Sequence, residues 1–135
     1  MPVRPLRSWV LAVAVAWGLL VADVAVAHNF QATSSVSISR KPTGVVKKGT
    51  RVRFFGKVSS SQLFCRQGRR VRLYRYGHGV VAKAVTNSEG RYSMRYRVRR
   101  TSRFSVIAKG KMEGVHPHRH VCYSATSRTL RVRTR

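Results

Sequence analysis

Residues 91–99 read RYSMRYRVR and alternate strictly between two kinds of side chain. The even-numbered positions carry Tyr, Met, Tyr and Val, whereas the odd-numbered positions carry arginine or serine. Successive side chains of a β-strand point to opposite faces of a sheet. The period of two therefore predicts a half-buried strand whose outer face carries a comb of arginines.

The same alternation recurs along the chain after residue 28, at residues 51–54, 70–73, 103–109 and 130–133. Turn-forming sequences separate these segments; Asn87-Ser88-Glu89-Gly90 in particular predicts a hairpin-type turn leading into the arginine comb. No later segment has a convincing helical period. Seven or so short strands in about 100 residues predict an all-β, antiparallel β-sandwich, and a small closed barrel is the competing architecture.

The first 27 residues have a different character. Arg4 and Arg7 precede an apolar run at residues 9–21, and the small residues Ala25 and Ala27 follow. A basic start, an apolar centre and an A-x-A ending predict a secretory signal-peptide helix that is cleaved after Ala27. Because the run is almost long enough to span a bilayer, an uncleaved anchor is the alternative. No transmembrane span is expected after cleavage.

The predicted domain organisation follows from this leader. Residues 1–27 are the signal peptide, residues 28–48 form an N-terminal segment with the first strand, and residues 49–135 form the β-sandwich domain. Export predicts a secreted, extracellular or cell-envelope protein. In an oxidising compartment the only two cysteines, Cys65 and Cys122, are expected to form a disulfide, with a reactive thiol as the alternative.

The charge balance excludes much catalytic chemistry. The chain has 135 residues, 28 Lys+Arg and 3 Asp+Glu, which gives a formal net charge of +25. Asp23 lies in the leader, so only Glu89 and Glu113 remain after cleavage. A Ser-His-Asp arrangement is then impossible, and a paired-carboxylate mechanism would require two turn glutamates to meet. We expect no enzymatic activity and no cofactor.

The excess of arginine predicts binding to polyanions, because guanidinium groups bind phosphate, sulfate and carboxylate bidentately. The composition bias of a high-GC genome accounts for the preference for arginine over lysine but not for the missing aspartates and glutamates. An anionic polymer such as teichoic acid or another acidic envelope component is the expected partner; specific nucleic-acid binding is not expected, since no such motif is present. The predicted contact residues are Arg91, Arg95, Arg97, Arg99, Arg70, Arg72, Arg131 and Arg133.

Two other functions stay open. One is a structural or spacer module that has no specific ligand. The other is copper or zinc binding, because His116, His118 and His120 alternate and would share one face of an extended chain. His28 would become the N-terminal residue after cleavage, where its imidazole and the terminal amine form a second potential copper chelate.

Several motifs between residues 49 and 133 carry a resemblance to a known family. They are GKVS at 56–59, GRRVRLYR at 68–75, VA at 81–82, TN at 86–87, EGRY at 89–92, RF at 103–104 and SRTLRV at 127–132. In these segments the chain resembles bacterial immunoglobulin-like and carboxypeptidase-regulatory-like (transthyretin-like) extracellular domains. The resemblance implies an immunoglobulin-like sandwich that serves as a spacer or binding unit, with no catalytic residue. The cysteine pair and the density of arginine depart from the family pattern.

Overall fold

The computed structural model describes residues 29–115 and 118–135. The predicted signal peptide, His28 and His116 lie outside these ranges. The described residues form twelve β-strands and one short helix. These elements are β1 (Phe30–Ala32), β2 (Ser35–Val36), β3 (Ser39–Lys41), β4 (Thr50–Ser59), α1 (Leu63–Arg66), β5 (Arg70–Arg75), β6 (Gly79–Val85), β7 (Arg91–Val98), β8 (Ser102–Ala108), β9 (Lys111–Glu113), β10 (His120–Cys122), β11 (Ala125–Thr126) and β12 (Leu130–Val132).

Two antiparallel sheets contain the long strands. In sheet I, β4 is central, β7 pairs along one side of it, and β2 and β3 pair in succession along the other. In sheet II the order is β6, β5, β8, and β11 and β12 both pair with the outer side of β8. The pair β2 and β3 forms one interrupted edge strand of sheet I, and the pair β11 and β12 forms one of sheet II. Counted in this way, sheet I has three strands and sheet II has four. The predicted all-β sandwich of about seven strands is confirmed.

The core lies between the two sheets because the apolar residues of each strand recur at every second position. Phe54 of sheet I and Phe104 of sheet II are both fully buried, and their ring centroids are 4.8 Å apart. Burying an apolar side chain of this size contributes about 1.5–3 kcal/mol. A short parallel bridge between Val46 and Thr134 joins the sheets at one edge. Strands β6 and β7, at the other edge, do not pair with each other, so the architecture is a sandwich and not a closed barrel.

The turn at residues 87–90 differs from the sequence prediction. It contains a tight turn, in which the Asn87 side-chain oxygen accepts a hydrogen bond from the Arg91 backbone N–H at 2.9 Å. It does not form a hairpin, however, because β6 belongs to sheet II and β7 to sheet I. Gly90 is required where the chain crosses: its φ is +81°, and a Cβ there would lie 2.4 Å from the Val58 carbonyl oxygen.

A third, small sheet and the disulfide occupy one end of the sandwich. Strands β9 and β10 form an antiparallel pair in the long connection between β8 and β11, and β1 pairs parallel to β10. Cys65 of α1 is bonded to Cys122 of β10, with Cα atoms 5.5 Å apart. The predicted disulfide is therefore present. Across the two described ranges, no helix has the length and apolar character needed to cross a bilayer.

Candidate anion-binding surfaces

The outer face of sheet I carries basic side chains on three neighbouring strands. In β4 and β7 the even-numbered side chains enter the core, so the odd-numbered side chains point to solvent. All of the basic residues on this surface are exposed except Arg53, which is half-buried. The surface is referred to as the arginine face and comprises Lys41, Arg51, Arg53, Lys57, Arg91, Arg95 and Arg97.

Strand pairing on the arginine face places cations directly opposite cations. Arg51 is paired with Arg97, and Arg53 is paired with Arg95. Lys41 of β3 is paired with Arg53 from the other side, so one row of three cations crosses three strands. Directly opposite side chains on a sheet have Cβ atoms roughly 5 Å apart, and like charges at that separation destabilise the sheet.

Few groups of the protein neutralise or cover these charges. Glu89 lies 3.1 Å from the Arg91 guanidinium, both side chains are about two-thirds exposed, and theirs is the one salt bridge within the described part of the chain. An exposed pair of this kind contributes at most about 1 kcal/mol. The Arg53 guanidinium lies 4.6 Å from the centroid of the Phe55 ring, which holds it over the sheet without changing its charge.

A groove of about 760 Å³ lies on the part of the arginine face nearer the disulfide. Arg53, Lys57 and Arg91 line it together with the Phe55 ring and several serines. Its volume falls within the usual range of small-molecule sites. Its lining of cations and hydroxyls fits an anionic, hydroxylated ligand better than an apolar one.

The other predicted contact arginines do not share this surface. Arg99 follows the end of β7 and is exposed. Arg70 and Arg72 lie on β5 and alternate with its inward-facing residues, so they point outward. Because β5 belongs to sheet II, these two arginines lie on the opposite side of the sandwich. Arg131 lies on β12 of the same sheet, and Arg133 follows that strand. Six of the eight residues are thus distributed over two sheets and two follow strand ends, because alternation predicts which side chains face outward but not which sheet a strand joins.

One arginine that the sequence analysis did not single out is fully buried. The Arg69 side chain donates hydrogen bonds to the carbonyl oxygens of Lys109, Cys65 and Tyr123 and to the Ser34 hydroxyl, at 2.8–2.9 Å. It is 0% exposed, and this burial lowers its pKa from the usual range. Arg69 therefore connects four segments beside the disulfide and has a structural role.

A sequence signal for this burial existed. Arg69 has the same parity as Val71 and Leu73, the inward-facing residues of β5. The alternation extended by one residue towards the N-terminus would have predicted an inward arginine. A lone arginine at an inward position predicts a buried hydrogen-bonding group, since an unpaired buried charge is costly.

The histidines of the predicted metal site are only partly described. His118 and His120 are both exposed, and the His120 ring also packs edge-on against Phe30 at 6.2 Å and Phe64 at 5.5 Å between centroids. The other two members of that predicted site lie outside the described residues. Among residues 29–115 and 118–135, no group of three or more His, Cys, Asp or Glu side chains is placed to hold a metal ion.

Comparison with known protein families and with curated proteins identifies no match to this chain. The resemblance to bacterial immunoglobulin-like domains stays a prediction from the motifs at residues 49–133. The charge and geometry of the described residues carry the functional inference.

Proposed function

We propose that this protein is a secreted, non-enzymatic β-sandwich that binds anionic polymers of the cell envelope or extracellular space, such as teichoic acid, through its arginine face. The observation that carries the proposal is the pairing of arginine with arginine across β4 and β7, at Arg51 with Arg97 and Arg53 with Arg95. An arrangement that destabilises the isolated sheet becomes favourable when an anion lies between the guanidinium groups.

The spacing of the charges suits an extended polymer. Same-face residues recur about every 6.7 Å along a strand, and neighbouring strands are about 4.8 Å apart. These separations are below the Debye length of about 8 Å at physiological ionic strength, so neighbouring cations act on one ligand together. With a net charge of +25, the chain has too few carboxylates to satisfy its own guanidinium groups.

Two further observations support the compartment and the absence of catalysis. The Cys65–Cys122 disulfide favours an oxidising environment outside the cytoplasm, which agrees with the predicted signal peptide. Glu89 and Glu113, the carboxylates left after the predicted cleavage, are both exposed. These two side chains lie at the surface, not in an enclosed site that could hold a substrate against them.

The direct test measures how binding depends on salt. The full chain is titrated with a purified poly(glycerol phosphate) teichoic acid between about 50 and about 200 mM salt, and the logarithm of the affinity is plotted against the logarithm of salt concentration. We expect a steep linear decrease. In the triple variant Arg51→Gln, Arg95→Gln and Arg97→Gln, the slope should become shallower by about 2, since each contact to a flexible polyanion contributes roughly 0.7.

A matched variant separates a specific surface from total charge. Arg119→Gln, Arg128→Gln and Arg135→Gln remove the same charge from exposed positions outside the arginine face. The proposal expects this control to retain most of the wild-type affinity. Equal losses of affinity in both triple variants, or an affinity that does not change with ionic strength, would contradict the proposal. The absence of saturable binding would favour a spacer module.

A further inference from the structure

A second basic site lies on sheet II, at the end of the sandwich away from the disulfide. It is a cleft of about 730 Å³ between the β5–β6 turn, the β7–β8 turn and β12. The cleft is referred to as the arginine cleft, and its lining is Arg75, Tyr76, Gly77, Arg100, Thr101, Ser102, Arg103 and Arg131. Four of these eight residues are arginines and none is acidic.

The charge of the arginine cleft is not balanced by the protein. Arg103 of β8 is paired directly with Arg131 of β12, which again places like charges opposite each other. Among the described residues, no hydrogen bond to a protein acceptor holds the guanidinium groups of Arg100, Arg103 or Arg131. Their donors therefore remain available to a ligand.

Arg75 and Arg103 are each held by an aromatic residue. Arg75 has the parity of the inward-facing residues of β5 and donates a hydrogen bond of 2.9 Å to the hydroxyl of Tyr96, an inward-facing residue of β7, so its guanidinium is engaged on the core side of sheet II. Arg103 lies 5.3 Å from the centroid of the Tyr76 ring, and the Tyr76 hydroxyl is 3.2 Å from the Thr129 hydroxyl. Because these contacts limit side-chain motion before binding, less conformational entropy is lost when a ligand is bound.

The turn that carries Arg100 is also fixed. The Ser102 hydroxyl donates a hydrogen bond of 2.9 Å to the Arg100 carbonyl oxygen. The Thr101 hydroxyl accepts a hydrogen bond of 3.0 Å from the backbone N–H of Thr134. The β7–β8 turn is thus attached to the C-terminal segment that follows β12.

We infer that the arginine cleft binds a compact oligophosphate, a group of two or three linked phosphates. The guanidinium groups of Arg100, Arg103 and Arg131, which no acceptor in the described part of the chain holds, over-neutralise a singly charged anion and suit a ligand that carries several negative charges. The volume exceeds what one phosphate requires and lies in the range of small-molecule sites. This site goes beyond the proposed polymer binding, because it lies on the other sheet and has a different lining.

The test uses the full chain and tripolyphosphate as the probe, measured by calorimetry at low salt. We expect one saturable site, weakened at least 10-fold in the double variant Arg103→Gln and Arg131→Gln. The matched control, Arg119→Gln and Arg135→Gln, removes the same charge from exposed positions outside both basic surfaces and should leave this affinity within about 2-fold of wild type. Equal losses in the two double variants, or several weak equivalent sites, would overturn the inference.

A charge-conserving variant tests geometry separately. Arg103→Lys keeps the charge but loses the planar fork, so a bidentate site should bind tripolyphosphate several-fold more weakly. Unchanged affinity in Arg103→Lys would overturn the built site in favour of diffuse attraction. Thermal unfolding of each variant verifies that the sandwich is intact.

The same phosphate chemistry occurs in a free small molecule and at the phosphorylated end of a polymer. A polymer that ends in a diphosphate or triphosphate group, before and after phosphatase treatment, distinguishes these sources: competition with tripolyphosphate that disappears after the treatment identifies a chain end, and its absence throughout identifies a free ligand. Failure of the arginine-face variants to affect polymer binding would leave the cleft result unchanged, so the two proposals fail separately.

Discussion

The disulfide end and the arginine face use the same side chain in opposite ways. At the disulfide end, Arg69 is fully buried and donates four hydrogen bonds to three carbonyl oxygens and a hydroxyl. On the arginine face, Arg95 is exposed and is paired across the sheet with another arginine. The difference is the supply of acceptors: converging loops offer carbonyl oxygens, whereas the carbonyl groups of a regular sheet are engaged in its own ladder.

This contrast separates structural from available arginines. A guanidinium surrounded by neutral acceptors stabilises the fold but has no donor left for a ligand. A guanidinium with no protein acceptor contributes little to the fold, and through repulsion it lowers stability. Surface cations of the second kind are those from which a binding function is expected, so mutations should affect either stability or binding at a given arginine, but rarely both.

The largest expected effect is on the buried arginine. Arg69→Met keeps much of the side-chain volume but leaves four acceptors, one buried and three partly buried, without their donor, and the loss of one such hydrogen bond costs about 1 kcal/mol. We expect the free energy of unfolding to fall by about 4 kcal/mol in urea denaturation with the disulfide intact.

The matched variant is Arg95→Met, which should change the free energy of unfolding by no more than about 0.5 kcal/mol. Similar destabilisation in the two variants would contradict the division into structural and available arginines. A small effect of Arg69→Met would show that water replaces the guanidinium among these carbonyl groups.

The sequence predicted which residues form strands and which side chains face the core better than it predicted which strands are paired. Alternation identified the inward and outward residues of β4, β5, β7, β8 and β12, because it depends only on local backbone geometry. It did not separate Arg95 from Arg72, which lie on different sheets, since sheet membership depends on long-range pairing. The turn at residues 87–90 was assigned to a hairpin for the same reason. A turn of this sequence can lead back into the same sheet as a hairpin, or it can lead from one sheet to the other.

The disulfide end was predicted only in part. The pairing of Cys65 with Cys122 followed from there being two cysteines, but β1, β9 and β10 are three residues each and are too short for a periodic signal. The arginine cleft is formed by two turns and one strand that are distant in sequence. Of its four arginines, only Arg131 was a predicted contact residue, because the cleft exists only once the strands are paired.

An intermediate effect is expected on the inner side of β7, the strand that presents Arg95 outward. Tyr92 is buried, and its hydroxyl donates a hydrogen bond to the Ser37 carbonyl oxygen. Tyr92→Phe should lower the free energy of unfolding by about 1 kcal/mol at neutral pH, the usual value of one such bond. Burial raises the Tyr92 pKa above its usual value of 10.0 in the folded state.

The raised pKa gives this effect a pH dependence. Below about pH 10 the phenol is protonated in both states, so the contribution of Tyr92 to stability is fully present. As pH rises above 10, the unfolded state releases the proton and the folded state does not, so this contribution decreases. The difference in unfolding free energy between wild type and Tyr92→Phe should therefore shrink between pH 9 and pH 11, and a constant difference across that window would contradict the assigned burial.

The smallest expected effect is a relief of repulsion on the arginine face. Arg95→Gln removes one cation from the row that includes Arg53 and Lys41. We expect it to raise the free energy of unfolding by about 0.2–0.5 kcal/mol at low salt, the usual scale of a cross-strand charge interaction. Near 1 M salt the Debye length is about 3 Å, so the gain should disappear.

Salt itself should stabilise the wild-type protein more than the variant, because the wild type has more repulsion to screen. Arg119→Gln removes the same charge from a position outside the row and serves as the control. A gain that survives at high salt would mean that Arg95 destabilises through packing and not through charge. A gain of the same size in Arg119→Gln would show that the repulsion comes from the charge of the whole molecule. The paired cations of sheet I would then not form a distinct anion-binding surface.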